Sequence, residues 1–326
     1  GSAYMAQAQG GAAPSPAEAP RALSAEEYAK AKTFKVKDLD NDTYVKFENT
    51  YVLDRYEMRK PYFITGDDGL KKRIDLYKLI AKEGMQELGT MIYYTNEKGT
   101  LYTALLPGFR TDAAIWEKYF EDIHAIDKEE KNFVLKLSYV LSKEFGFQLY
   151  KSANQGKNLK AESATYSNNI CFPGTQQVTM ANGLTKALKD IRPGDRVVTI
   201  DPVSRQANTV TVKELVAHEA ENYAITSLLV IATQEQATAT GTEVHLSSRV
   251  LQATPKHPMM TAAGKKPIGE IREGEQIICQ DESTHTYQTF TVFNKTEAAG
   301  GVQPVYNIVA DGGRTFMMNG VMVLQK

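Results

Sequence analysis

Apolar positions along the chain fall into two regimes separated by a polar stretch. Between residues 25 and 150 the periods are mixed. In 69–84, Leu70, Ile74, Tyr77 and Ile80 recur near helical spacing and predict a helix. Residues 91–106 read as two strands around Asn96-Glu97-Lys98-Gly99, a hairpin whose turn has a glycine available for positive φ. Two further helices are predicted over 113–126 and 128–145, so this part reads as a compact α+β domain. From residue 171 onward short strand patterns dominate, at 177–180, 196–200, 209–212, 224–231, 243–252, 276–279, 289–292, 305–308 and 315–324. Their separation by Gly, Pro, Asn and Asp predicts an all-β domain. Between the two, residues 151–170 are dominated by Ser, Asn, Gly, Lys and Gln, the composition of an exposed linker.

The second regime repeats itself. The stretch from Gly183 to Asp201 is echoed from Gly264 to Asp281: Ile191 matches Ile271, Gly194 matches Gly274 and Asp201 matches Asp281, each 80 positions on. Thr211-Val212 falls on Thr291-Val292 in the same register. A single offset held through so many identities predicts a duplicated β subdomain with pseudo-two-fold symmetry.

Bulk properties narrow the class. At 326 residues the chain exceeds one ordinary core, so two domains are expected. Apolar residues at 42% and charged residues at 24% are those of globular protein, and a net charge of −1 points to neither nucleic acid nor an anionic membrane. No apolar run is long enough for a membrane span. Residues 1–5 read as an expression scar and 6–24, rich in Ala, Pro, Gly and Gln, as a flexible leader; leaders of this kind often follow a removed signal sequence, which hints at export to an extracytoplasmic location. With only Cys171 and Cys279, a disulfide framework is not expected. A single bridge between them would prevent Cys171 from acting as a nucleophile.

Cys171-Phe172-Pro173-Gly174-Thr175-Gln176-Gln177-Val178 opening a duplicated β domain, the turn and strand of 187–198, Ala253-Thr254-Pro255-Lys256-His257-Pro258, and Val305-Tyr306-Asn307-Ile308 with 315–321 stand in a fixed order. In that order they resemble the Hint fold shared by Hedgehog autoprocessing domains, inteins and bacterial intein-like domains, over 171–326 and nothing before it. The resemblance implies that Cys171 attacks the Ile170–Cys171 peptide bond by an N-to-S acyl shift, once, in cis. His257 is then expected to contact the scissile nitrogen and Thr254 to help position it. Where Hedgehog domains place an aspartate that assists the thiol, this chain has His218 with Glu219 beside it. A histidine there could be the base for Cys171, or a solvent-facing strand-end residue. His124, His245 and His285 carry no such implication, and Trp116 reads as a core or interface residue.

The chemistry suits those residue types. An amide resists attack because resonance makes its nitrogen a poor leaving group. The reaction therefore needs a nucleophile held against the carbonyl, a proton donor for the departing amine and a weakened amide. Cysteine supplies thiolate near neutrality and histidine titrates there. Departures from the family set limits. Leu324 and Gln325 stand where inteins carry a His-Asn pair, and Arg314 stands where a histidine commonly precedes Thr-Phe. The expectation is thioester formation and N-terminal cleavage without splicing, without sterol transfer and with no cofactor or metal. Water, a small thiol or another nucleophile resolves the thioester, and the N-terminal domain is the cargo. The β-branched Ile170 crowds its carbonyl and should slow that release; a tenfold effect needs only about 1.4 kcal/mol. The competing expectation is an inactive Hint scaffold that binds or presents the N-terminal domain. An active site requires His257 within reach of the scissile nitrogen, whereas a degenerate one would bury Cys171 or tie it to Cys279. In 25–150 there is no metal spacing, phosphate loop or nucleophile–base pair, and Asp67-Asp68-Gly69 reads as a turn before a helix.

Overall fold

The computed structural model describes residues 20–55, 60–146, 170–220, 222–281, 286–299 and 303–325. The chain forms two units, one of 1–156 with 234–245 and one of 157–233 with 246–326. The expected linker lies almost wholly outside the described residues, as do residues 1–19 of the expected leader and His285.

The leader expectation ran too far. Leu23 is buried and its amide donates to the Thr111 hydroxyl at 3.3 Å, while Ser24 caps helix α1 (Ala25–Ala31) in a reciprocal capping box with Glu27. Strands β1 (Tyr44–Phe47), β2 (Tyr51–Asp54), β3 (Tyr62–Thr65), β4 (Lys71–Ala81), β5 (Gln86–Thr95) and β6 (Leu101–Pro107) follow, then helices α2 (Ala113–Glu129) and α3 (Phe133–Phe145). The hairpin and both C-terminal helices agree with the sequence reading. The helix expected over 69–84 is instead β4, paired with β5 on one edge and with β2 and β3 on the other. Its apolar side chains fill both faces: Ile74, Leu76 and Ile80 on one, Tyr77 and Leu79 on the other, all buried. A central strand covered on both faces carries apolar residues at both parities, so helix-like spacings arise by coincidence. Asp67-Asp68-Gly69 is indeed a turn, closed by Gly69 N–H to the Gly66 carbonyl at 3.1 Å, but it feeds a strand.

The second unit is all-β. It comprises β7 (Phe172–Pro173), β8 (Gln177–Thr179), β9 (Thr185–Ala187), β10 (Arg196–Ile200), β11 (Ala207–Ala220), β12 (Ala224–Ala237), β13 (Thr242–Ala253), β14 (Pro258–Thr261), β15 (Gly264–Pro267), β16 (Gln276–Gln280), β17 (Tyr287–Ala299), β18 (Gln303–Ala310), β19 (Thr315–Met318) and β20 (Val321–Leu324). The far ends of β12 and β13, residues 234–245, belong to the first unit. One sheet runs β10-β11-β18-β7, and a second path runs β12-β17-β16-β20-β19-β8-β9.

The duplication is visible bond by bond. Arg196 opposes Thr211 as Gln276 opposes Thr291. Gly194 N–H donates to the Val212 carbonyl and Gly274 N–H to the Val292 carbonyl, both at 2.8 Å. These glycines hold φ of 91° and 90°, a conformation in which a Cβ is strained. Asp195 and Glu275 each accept from the amide three residues earlier, and Lys186 and Lys266 pair with them. Ile191 and Ile271 are both fully buried in one core with Phe172, Val197, Ile277, Phe290 and Phe316. Truncating either isoleucine to alanine should cost about 2–5 kcal/mol.

Candidate active site

Cys171 stands just before β7, which pairs with β18 at Phe172–Tyr306 and Pro173–Val305. Cys171 is 1% exposed and packs with Tyr223, Ile225 and Val305. Neither cysteine forms a disulfide, so no bridge to Cys279 occupies the thiol. Ile170 is half-buried.

Thr254 and His257 sit on the short turn between β13 and β14, closed by His257 N–H donating to the Thr254 carbonyl at 3.0 Å. Thr254 is fully buried and meets Cys171 on both sides of its backbone. The Cys171 amide donates to Thr254 Oγ1 at 2.9 Å, the Thr254 amide donates to the Cys171 carbonyl at 2.9 Å, and the Thr254 hydroxyl donates to that carbonyl at 3.1 Å. The nitrogen of the Ile170–Cys171 bond is therefore held by Thr254. The hydrogen bond expected from His257 to that nitrogen is made by Thr254.

His257 is 1% exposed, with its ring 4.1 Å from the Phe172 ring, centroid to centroid. Its Nε2 lies 3.1 Å from the Leu324 carbonyl, which can only accept. Nε2 therefore carries the proton, and Nδ1 presents a bare lone pair that is buried and has no hydrogen-bond partner. Burial holds the imidazole at about 3, well below its ordinary 6.5, because no solvent compensates a charge there. The ring is neutral at physiological pH.

The duplication accounts for where these residues stand. Ile268 N–H donates to the His257 carbonyl at 2.8 Å, as Leu188 N–H donates to the Gln176 carbonyl at 2.8 Å; Gly269 N–H to Pro255 repeats Lys189 N–H to Gly174. His257 thus occupies in the second copy the place of Gln176 in the first. Gln176 is itself buried: its Oε1 accepts from the Gln252 amide at 3.1 Å and from Asn319 Nδ2 at 3.0 Å. Asn319, in the β19–β20 turn, also exchanges bonds with the Gln177 backbone and reaches the Val250 carbonyl. Gln176 and Asn319 therefore brace the Cys171 segment against β13. Both fall within the segments that carry the family resemblance, which by themselves assign neither residue a role.

His218 lies on β11 opposite Val305, in one row with Pro173. Facing residues of neighbouring strands share a side of the sheet. Half-buried His218 thus shares the side of Val305, the residue that packs on Cys171. His124 and His245 are exposed, as expected for bystanders, and Trp116 is half-buried on α2. Cys279 is buried in β16, where loss of solvent pushes its thiol well up. Arg314 is exposed, and its carbonyl accepts from the Gln325 amide at 2.8 Å. Among the described residues no group of His, Cys, Asp and Glu is arranged to hold a metal, and no helix is long and apolar enough to cross a membrane.

A family model described as the Hint module matches residues 155–317, half of the chain. The Sonic hedgehog protein of Danio rerio is 28% identical over 165 residues, covering 50% of this chain and 38% of that protein. That of Xenopus laevis is 35% identical over 83 residues, covering 25% and 19%. The chain thus matches well under two-thirds of the length of these relatives. Among solved structures, a bacterial intein-like domain from Clostridium thermocellum shares 21% identity at a TM-score of 0.36, covering 48% of this chain and 98% of that one. A DnaB intein from Synechocystis sp. PCC 6803 shares 18% at a TM-score of 0.36, covering 48% and 99%. An all-β unit with a bond-by-bond duplication, and the family model matched across half of the sequence, place this chain in the Hint module family.

Proposed function

We propose that residues 171–326 cleave their own chain at Ile170–Cys171, in cis and once, with residues 25–150 as cargo. Cys171 Sγ attacks the Ile170 carbonyl carbon; a C–S bond forms, the C–N bond breaks, and the thiol proton ends on the Cys171 nitrogen as a free amine. Water then leaves residues 1–170 with a carboxylate, or a small thiol takes the acyl group, and either regenerates the Cys171 thiol. Supporting this most directly is the double hold of Thr254 on the Cys171 backbone, with Oγ1 at 2.9 Å from the scissile nitrogen beside a cysteine that no disulfide ties down. Held so, the peptide plane is fixed for attack, which is where most of an intramolecular advantage originates.

His257 is the proton carrier. Being neutral at rest, it cannot begin as a donor; it accepts the thiol proton at Nδ1 and delivers it to the leaving nitrogen, while the Leu324 carbonyl fixes the tautomer from the other side. His218 assists deprotonation of Cys171. Leu324 is buried in β20 with its carbonyl committed to His257, and neither it nor Gln325 is given a role in a second cleavage. Hydroxylamine at neutral pH tests the thioester: it should release residues 1–170 as a hydroxamate on Ile170, and failure to form that product removes the acyl shift.

A second reading, an inactive scaffold, is favoured by one observation. Cys171 and His257 are each only 1% exposed, so no external nucleophile reaches the thiol without local opening. The same burial under the first reading makes resolution slower than thioester formation, and crowding by β-branched Ile170 acts in the same direction.

A further inference from the structure

The first unit is completed by chain that follows Cys171 in sequence: 234–245 folds with 1–156. Within this unit Thr242–His245 runs parallel to β3, Thr242 opposite Tyr62 and His245 opposite Thr65. The ladder opens with Thr242 N–H donating to the Pro61 carbonyl at 2.9 Å. Gly241 lies so close that a Cβ there would stand 2.3 Å from the Pro61 oxygen and 2.8 Å from the Phe63 ring. Val244 is 1% exposed. Side chains add to the backbone pairing. Lys71 pairs with Glu243 at 3.3 Å and Lys143 with Glu235 at 3.5 Å; the Tyr139 hydroxyl donates to Glu235, and Lys60 donates to the Ala239 carbonyl at 2.5 Å. The turn holds its own shape, with the Thr238 amide and hydroxyl both donating to the Gly241 carbonyl at 2.8 Å.

We infer that residues 234–245 are a docking hairpin for the N-terminal domain, so that the two products of cleavage at Ile170–Cys171 remain a noncovalent complex joined by strand addition at β3. Parallel pairing needs a long connection between its strands, and here that connection contains the proposed scissile bond. Strand addition gives affinity through main-chain bonds and selectivity through alternate side chains; both are present, with Val244 inward and Glu243 on Lys71. In the intact chain the pairing is intramolecular and benefits from a high effective concentration; after cleavage it must hold by itself. The proposal rests on the cleavage reading only for what creates two chains.

The test therefore makes the cut without the domain's own chemistry. A recognition sequence for a site-specific protease is placed within 151–169 of the full-length Cys171→Ala chain, and the cut protein is run on native size exclusion with mass detection at micromolar concentration. The fragments should co-elute. Glu235→Lys with Glu243→Lys should raise their dissociation constant at least about tenfold, as should Gly241→Val; the charge pair serves as a control should Gly241→Val disturb folding. Separate elution of the unmutated fragments overturns the inference, and so does co-elution that the hairpin variants leave unchanged. Self-cleavage is switched off throughout, so failure here leaves the acyl-shift reading standing, and failure of that reading leaves this one standing.

Discussion

Thr254 Oγ1 stands 2.9 Å from the amide nitrogen of Cys171 and 3.1 Å from the carbonyl oxygen of the same residue. One hydroxyl, fully buried, thereby accepts from one side of the Cys171 backbone and donates to the other. A side chain that both accepts and donates at so short a reach is confined to serine and threonine.

Thr254→Val keeps shape and removes both bonds. The lost pairing should cost about 1–3 kcal/mol and slow cleavage roughly ten- to a hundredfold, whereas Thr254→Ser should stay near wild type. Time courses of fragment appearance on denaturing gels, with dithiothreitol present, check this. Equal rates for the valine variant would remove Thr254 from the reaction.

His257 links pH to stability. Its folded value of about 3 lies below the ordinary 6.5, so the unfolded chain takes up the proton first as pH falls. Stability tied to this group is intact above pH 6.5 and is lost as pH drops toward 3, at about 1.4 kcal/mol per pH unit. Urea midpoints for wild type and His257→Gln between pH 7 and 5 report it. The wild type should lose more than the variant over that interval; parallel slopes would mean the imidazole is not held neutral.

His218 faces the Cys171 side of its sheet from β11. His218→Ala should slow thioester formation at least about tenfold, while His218→Asp should retain most of the rate, because either side chain can accept a proton. If His218→Ala cleaves as fast as wild type, this histidine is a strand-end residue and nothing more.

Cys279 is buried in the core of the second unit, in a hydrophobic cluster separate from that of Cys171. Cys279→Ala should cost about 1 kcal/mol in stability and leave the cleavage rate within about twofold. Loss of cleavage in a folded Cys279→Ala protein would contradict the assignment of the nucleophile to Cys171 alone.

Much of this architecture could be read from the chain because its signals are local. The repeat from Gly194 to Gly274 carries its turn chemistry in the sequence, and both glycines take the positive φ such turns need. The hairpin around Asn96–Gly99 is legible for the same reason. Strand β4 carries a helix-like spacing because burial of both faces erases the period of two. The strand patterns at 224–231 and 243–252 stop short of the longer β12, which runs on to Ala237, and the pairing of 242–245 with β3 is made by backbone, which leaves no side-chain pattern. At the site, Cys171, Thr254 and His257 were nameable from motif order. The partner of His257 was not, because the Leu324 carbonyl is a backbone atom with no residue signature. That Thr254 makes the hydrogen bond to the scissile nitrogen likewise depends on side-chain reach, which motif spacing does not encode.

The most direct test is the intact mass of purified protein with and without dithiothreitol, run beside Cys171→Ala. The account predicts two fragments split between Ile170 and Cys171 when thiol is added, and an alanine variant that stays whole. Wild type that stays whole under thiol and hydroxylamine alike, or an alanine variant that still splits at Ile170–Cys171, would contradict it.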